Sequence, residues 1–587
     1  MPRLGVAQFR PGKGDSAENL ERIGALLAGL AGRDAAPQLL LFPEAALTGY
    51  LLEGGVRDLA VSAGTLFEGL QRVHAQAKAP TLDIAIGFYE SWRGSLYNSS
   101  LYATLGGKDA RIVHVHRKVF LPTYGVFDEE RFTEPGLDVR AFDTRLGRFG
   151  VLICEDAWHS LPPLIAAVQG AQLLLIHSAS PARGMQPLEE TVPRPANVSR
   201  WERMSRAIAE EHGMWVATCQ LVGFEGGKAF AGGSVVVTPR GDVVSRAPLW
   251  EETLLEVDVD LREVGRARAD LPLLADLQTK LPHLIRSLET APSAAPPYDG
   301  STQTDGTPAR RHADTPDPMA MDAALVERWL VEFLREEVTR RRGFGHVVVG
   351  ISGGVDSALV AFLAAKAFGP EHVTGLLLPY RTSSPESLAH GKLVVSTLGI
   401  AGRVIDISDA VDGYFKEHEP EADEARRGNV MARERMIVLF DQSAKLRALP
   451  LGTGNKTERL FGYFTWHADD SPPINPIGDL FKSQVWALAR HVGVPDVIVD
   501  KPATADLVKG QTDEGDLGIP YPRADRILYW LLRGLPAPDI VGLGFTTDEV
   551  LIVEKRLEST HWKRRMPTVA MLSPTAIGEY YLRPVDY

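Results

Sequence analysis

The sequence predicts an α/β protein in which both halves of the chain are α/β. Three observations carry this. The chain has 587 residues, too many for one core, so two or more domains are expected. Short apolar runs alternate with helical stretches along its length. Near residue 350 an apolar run, His346 to Ile351, meets Ser352-Gly353-Gly354-Val355-Asp356-Ser357 and then a helical run, Ala358 to Phe368. That is strand, glycine-rich turn and helix.

Composition bounds the class. Hydrophobic content of 44% and charged content of 24% are ordinary for a globular protein. A net charge of −12 argues against a general nucleic-acid binder. The opening MPRLGVAQFR lacks the apolar region of a secretory signal, and no run reaches the roughly 18 apolar residues of a membrane helix. Two cysteines, Cys154 and Cys219, exclude a secreted disulfide framework and favour a cytoplasmic enzyme with free thiols. No paired Cys/His spacing suggests zinc.

In chain order, β-rich runs fall at 4–9, 38–43, 83–89, 150–155, 172–178, 214–220 and 233–239, with helical stretches between. Proline, glycine, threonine and charge then dominate APSAAPPYDGSTQTDGTPARRHADTPDP, which has little to bury and reads as a linker or arm. A helical pattern restarts at Met319, and strands follow at 346–351, 372–379, 402–408 and 446–454. The expected division is 1–285, a linker over 286–318, and 319–587. No internal repeat is present.

In the first half, Glu44, Lys118 and Cys154 each stand at the end of a predicted strand, where α/β proteins present reactive groups. Alone, Glu44 reads as a surface cap, Lys118 as a solvated cation and a cysteine as a small buried hydrophobe, as Cys219 does. Cys154 differs because Glu155 and Asp156 follow it. His114 and His116 read as strand residues rather than catalysts. Together, FPE…TGY, RKVFLPTYGVFDE and ICEDAW resemble the nitrilase (carbon–nitrogen hydrolase) superfamily over roughly residues 1–285. The resemblance implies an αββα sandwich and a Glu-Lys-Cys set in this order. Cys154 is then the nucleophile that forms a thioester, Glu44 the general base, and Lys118 the charge beside the oxyanion that also lowers the thiol pKa. Glu129 matches a second glutamate that orients the lysine, with Glu130 adjacent. Tyr124 matches a glutamine-pocket position, Glu155 is expected to take the substrate ammonium, and Ser178 or Ser180 to contact the substrate's α-groups.

In the second half, a loop of two glycines and two serines at a helix N-terminus suits an anion, and Asp356 within it implies an intervening cation, Mg²⁺. A plain corner needing glycine is the bland alternative. SGGVDS resembles the pyrophosphate-binding loop of the ATP pyrophosphatase (PP-loop) family, whose fold is Rossmann-like with a parallel sheet. The downstream text GNVMARERMIVLFDQSAKLRALPLGTGNKTERLFGYFTWH, PINPIGDLFKSQV and KPATADLVKGQTDEGDLGIPY resembles the NAD synthetases within it. The resemblance implies that Ser352, Gly353, Gly354, Val355, Asp356 and Ser357 cradle ATP phosphates, with Arg433, Thr453 and Lys482 also on ATP. It implies Asp356 and Glu458 for Mg²⁺, and Asn429 and Asp469 toward the dinucleotide. GTGNKT at 452–457 lacks the GxxxxGK[ST] spacing and is discounted as a Walker A loop. Trp466-His467-Ala468 departs from the basic text common in relatives, and HWKRR near 561 reads equally as a solvated run or a substrate cover.

A nitrilase-type domain ahead of an NAD synthetase domain is the arrangement of the glutamine-dependent NAD synthetases. The expected substrates are glutamine or ammonia, ATP and nicotinic acid adenine dinucleotide, with neither nucleic acid nor membrane as partner. Relatives imply a homo-oligomer. Internal passage of ammonia is expected, because free ammonia at neutral pH is mostly protonated. Another PP-loop amidotransferase and a scaffold with a dead glutaminase are the competing readings.

Overall fold

The computed structural model describes residues 1–52, 55–124, 127–187, 193–290, 317–504 and 512–564. The chain forms two compact units. Among the described residues the first holds 1–184 and 194–290, and the second 185–187, 193 and 317–564. Most of the expected linker, 291–316, lies outside the described residues. The last described helix of the first unit, Leu273–Glu289, runs past residue 285.

The first unit begins with β1 (Arg3–Gln8), β2 (Leu39–Leu41), β3 (Leu82–Trp92), β4 (Ser95–Leu105) and β5 (Arg111–Arg117). It continues with β6 (Ala141–Thr144), β7 (Gly147–Ile153), β8 (Leu173–Ser178) and β9 (Trp215–Gln220). A β-ribbon, β10 (Val222–Glu225) and β11 (Lys228–Ala231), precedes β12 (Val235–Val237), β13 (Val243–Arg246) and β14 (Thr253–Asp258). These make two six-stranded sheets, ordered β14-β1-β2-β3-β4-β5 and β13-β12-β9-β8-β7-β6.

The layering follows from side-chain alternation. Successive strand residues point to opposite faces. Leu4 and Val6 of β1, Leu39 and Leu41 of β2, Phe149 and Val151 of β7, and Leu173 and Leu175 of β8 share one core between the sheets. The alternate residues turn outward. Ala7 and Leu40 pack with Ile23 and Leu27 of helix Ser16–Ala28 and with Leu66 and Leu70 of helix Ala63–Ala77. Leu152, Leu174 and Ile176 pack with Trp201 and Ile208 of helix Ala196–His212. Helix, sheet, sheet, helix is the expected αββα sandwich. Strands buried on both faces read as near-continuous apolar runs, as LLL does and as the LLLI of LLLIHS does.

The second unit carries β15 (Val347–Gly350), β16 (Val373–Leu377), β17 (Ala401–Val404) and β18 (Leu449–Leu451). All pairs are parallel, in the order β17-β16-β15-β18. The order reverses between β15 and β18, so the crevice at their carboxyl ends is the ligand position of an open α/β sheet. Helix Val355–Phe368 is buried nearly all round, which explains its weak amphipathic pattern. β17 stops at Val404, short of the run expected to 408, because Ser408 already opens helix Ser408–His418. Among the described residues no helix is long and apolar enough to cross a membrane.

Candidate active sites

Glu44 leaves the end of β2 on a tight turn. Gly87 of β3 lets that turn lie against the sheet, since a Cβ there would meet the Glu44 Cα at 2.7 Å and the Ala45 nitrogen at 2.6 Å. The Glu44 side chain is fully buried. Its Oε1 accepts from Lys118 Nζ at 2.8 Å and from Asn98 Nδ2 at 2.8 Å, and its Oε2 accepts from the Ala179 N–H at 2.8 Å.

Lys118 stands one residue past β5, also fully buried, and donates to Glu129 Oε1 at 2.6 Å as well. Burial works to lower its pKa, but Glu129 and Glu44 outweigh this and raise it well above the ordinary lysine value. The ammonium therefore stays charged between two carboxylates. Burial pushes the Glu129 carboxyl up, with Lys118 pulling it down. The Tyr50 hydroxyl also donates to Glu129. The loop carrying Tyr50 is held by buried Glu225, which accepts from the Tyr50 and Leu51 backbone N–H groups, the latter at 2.7 Å.

Cys154 directly follows β7 and lies in the left-handed region, with φ 47°. This non-glycine outlier turns the thiol out of the sheet. Ser178 Oγ, at the end of β8, donates to Cys154 Sγ at 3.7 Å. Burial, then Glu44, push the thiol pKa well up, while Lys118 pulls it down. The lysine acts in the expected direction and is outweighed, so the resting thiol keeps its proton and needs a base. Cys219 is fully buried in the inter-sheet core, its thiol directed at the Ala7 carbonyl at 3.2 Å.

Asp156 ties these strand ends together. Fully buried, it accepts from the N–H groups of Ile153 (3.1 Å), Val119 (2.9 Å) and Phe120 (3.0 Å) and from His116 Nε2 (2.9 Å). His116 thus serves Asp156, and His114 stacks on Phe142 at 4.3 Å. Asn98 and Glu225 lie outside the sequence motifs, while Tyr50 and Asp156 stand within them with no role assigned from sequence.

The remaining glutaminase candidates divide. Tyr124 is 57% exposed and donates to Glu155 Oε2 at 3.0 Å. Ser178 is on the thiol. Ser180 accepts instead from Asn197 Nδ2 at 3.1 Å and joins neither Cys154 nor Glu44 by a hydrogen bond. A cavity of about 200 Å³ borders Glu129 on the side of Tyr50, Tyr89, Phe127 and Lys228.

In the second unit, the 352–357 loop follows β15 as expected. Gly353 has φ 81°, and a Cβ on it would lie 2.1 Å from the Ser387 carbonyl oxygen. Ser352 Oγ accepts from the Gly354 N–H at 3.2 Å, and Ser357 Oγ from the Ser352 N–H at 3.2 Å, so the serines hold the loop open. A cavity of about 330 Å³ is lined by Ser352, Gly354, Val355, Asp356, Ser357, Thr453, Glu458, Asp469 and Lys482. Buried Lys482 donates to Asp356 and, at 3.3 Å, to Glu458 Oε1. Asp356 also accepts from Asn455 Nδ2 at 2.9 Å.

The segment NKTE resolves into a helix start. Asn455 caps helix Lys456–Phe461 and Glu458 completes the capping box. Glu458 is pushed up to about 8 by burial, with Lys482 opposing. Asp356 and Glu458 are hard oxygen donors on one cavity wall, and two carboxylates with substrate phosphates suffice for Mg²⁺. Arg433 points elsewhere: it is exposed, donates to the Trp466 carbonyl at 3.1 Å, and is absent from the cavity lining, where Arg435 stands. Asn429 accepts from Thr465 Oγ1 at 3.3 Å and also lies off the lining. Within HWKRR, Lys563 and Arg564 cap the Gly462, Phe464 and Leu460 carbonyls, so the described part is not a solvated run. The rest of that segment, from 565, and residues 505–511 of the KPATADL segment lie outside the described residues.

Both halves of the chain match known families. The carbon-nitrogen hydrolase family matches residues 3–269, and the NAD synthase family residues 326–567. Over 604 aligned residues, 99% of this chain and 98% of its relative, the sequence is 31% identical to the glutamine-dependent NAD(+) synthetase of Thermotoga maritima. The chain belongs to the glutamine-dependent NAD(+) synthetase family. The NH(3)-dependent NAD(+) synthetase of Trichlorobacter lovleyi is 46% identical over 268 residues, 46% of this chain and 97% of that one. A glutamine-dependent NAD+ synthetase from Acinetobacter baumannii, solved with adenosine diphosphate, shares the fold with a TM-score of 0.66 at 24% identity, over 97% of this chain and 95% of that one. Family membership makes the chain a ligase homologue with a glutaminase and a synthetase unit, and it makes ATP a co-substrate.

Proposed function

We propose that the first unit, within residues 1–290, hydrolyses glutamine and that the second, within 317–564, spends ATP to activate the nicotinate carboxylate of nicotinic acid adenine dinucleotide. Ammonia from the first reaction amidates the activated carboxylate, giving NAD⁺, AMP, pyrophosphate and glutamate. The observation that carries this is the buried Lys118 ammonium between Glu44 and Glu129, with Ser178 and Ala179 linking the thiol to the base.

In the first unit Glu44 takes the Cys154 proton as sulfur attacks the carboxamide carbon. Lys118 faces the oxyanion, and Glu44 returns the proton to the departing ammonia, leaving a thioester. A water then releases glutamate. Tyr124 and Glu155 hold the substrate ammonium end. In the second unit the carboxylate oxygen attacks the ATP α-phosphorus and pyrophosphate leaves. The Ser352–Ser357 loop, Thr453 and Lys482 stabilise that charge, and Asp469 faces the dinucleotide. Asp356 and Glu458 would hold Mg²⁺, whose charge offsets that of the phosphates. Arg435 is the better candidate than Arg433 for an ATP contact, because it lines the cavity.

Both cysteines are free and buried, which supports a cytoplasmic setting, and family habit supports a homo-oligomer whose mass light scattering would give. The deciding assay supplies ATP, Mg²⁺ and nicotinic acid adenine dinucleotide with either glutamine or an ammonium salt. NAD⁺ from both is expected. NAD⁺ from ammonium alone would remove the glutaminase reading, and NAD⁺ from neither would remove both.

A further inference from the structure

We infer that Asn98 is a positioning residue of the glutaminase, the neutral donor that hydrogen-bonds the Glu44 carboxylate and keeps it in register with Lys118. The inference deepens the glutaminase reading above and rests on it. Two carboxylates, Glu44 and Glu129, share a single ammonium in a nearly water-free site, so one positive charge faces two negative ones. Under that repulsion one carboxylate tends to take a proton, and a base that holds a proton cannot deprotonate a thiol. Neutral N–H donors correct this without adding charge.

Asn98 supplies them. Its Nδ2 donates to Glu44 Oε1 at 2.8 Å and lies 3.4 Å from Glu129 Oε2. Its backbone carbonyl accepts from the Lys118 N–H at 2.9 Å, so one residue fixes the lysine backbone and both carboxylates. It sits on β4 opposite Tyr89 of β3 and is 1% exposed. Its Oδ1 is buried with no hydrogen-bond partner among the described residues. Leaving a buried amide oxygen unpaired is unfavourable, and a residue kept only for strand packing would be apolar. The amide is retained for its donor side. The charged and titratable groups around Glu44 are Lys118, Glu129, Cys154, Tyr50 and Tyr89. Burial and the nearby carboxylates push both tyrosines well up, so neither adds charge.

The test compares Asn98→Leu, Asn98→Asp and Asn98→Ser with wild type in glutamine-driven and ammonium-driven NAD⁺ formation across pH. A hydrogen bond to the charged form lowers a carboxyl pKa, so losing it raises that pKa. For Asn98→Leu the acidic limb of the glutamine-driven rate should move up by about one pH unit, with kcat about tenfold lower and KM little changed. Asn98→Asp, isosteric but bringing a third carboxyl, should move the limb further. Asn98→Ser, which keeps one donor, should recover part of the rate. Ammonium-driven rates should match wild type in all three. An unmoved limb in both the Leu and Asp variants overturns the inference even if kcat falls. Should the Leu variant expose the buried Cys219 to alkylation, its first unit has misfolded, and the Asp and Ser profiles decide. Failure of wild type to use glutamine would instead sink the underlying reading.

Discussion

Cys154 is caught between opposed influences. Burial and two carboxylates hold its proton on, and a single ammonium pulls the other way. Chemistry at sulfur therefore depends on Glu44, and substituting either residue should stop it. Cys154→Ala is expected to cut glutamine-driven NAD⁺ formation by roughly 10³-fold or more while leaving the ammonium-driven rate near wild type. Loss of both rates in a folded variant would contradict the division of labour. Lys482 has a different reach, because the cavity it lines serves either nitrogen source. Lys482→Met should lower both rates by about 100-fold, measured as pyrophosphate release. Glu202 governs stability rather than chemistry. Hydrogen bonds from Arg246, aided by Arg194 and opposed by burial, hold its carboxyl down at about 2, below its ordinary 4.5. A depressed carboxyl stabilises fully above the unfolded value, and that contribution is lost as pH falls through 2. Glu202→Gln should therefore flatten the fall in the first unit's thermal midpoint between those pH values.

At the scale of elements, the corner after β15 leaves least freedom. Gly353→Ala would force a Cβ into both a left-handed backbone, at about 1–2 kcal/mol, and the Ser387 carbonyl. The loop must move, so glutamine-driven and ammonium-driven rates should fall together with a raised KM for ATP. A rise confined to one nitrogen source would count against the shared loop. Elements of this kind were legible in the text, because glycine at a strand–helix corner has few other uses. The strands covered on both faces were equally plain: β2 (LLL) and β15 (VVVG) carry no polar side chain, and β7, β8, β9 and β16 are mostly apolar. Edge strands were not. β6 (AFDT) and β13 (VVSR) are short and half polar, and their pairing depends on partners far along the chain. The site residues divide in the same way. Glu44, Lys118 and Cys154 stand at strand ends within dense motifs. Asn98 lies inside SLYNSSLYATL, where a polar residue on a strand looks like a solvent-facing one until the second sheet covers it. Arg433 and Arg435 show the limit on helices. Two positions apart they face opposite ways, and the letters RER do not say which one meets the cavity.

At the scale of the molecule, the proposal gives each unit one reaction, with ammonia as the product of the first and the substrate of the second. Asp356→Ala should abolish both nitrogen routes, since no adenylate forms, while glutamine hydrolysis measured as glutamate persists. With ¹⁵N-glutamine and excess unlabelled ammonium, the NAD⁺ formed should carry mostly ¹⁵N. Free mixing of the two pools would mean that ammonia escapes before it is used.

The first sheet has a consequence for synthesis on the ribosome. Strand β1, at residues 3–8, pairs antiparallel with β14, at residues 253–258, and with β2 on its other side. At about 5–20 residues per second, β14 is made roughly 13–50 s after the chain begins. Until then one edge of β1 has no native neighbour, and contacts this distant in sequence close slowly. A nascent chain thus carries an open strand edge for roughly its first 13–50 s, when pairing with another copy is the competing outcome. Slow translation or crowded polysomes should reduce the yield of this unit more than that of the second, whose four parallel strands span only 347–451.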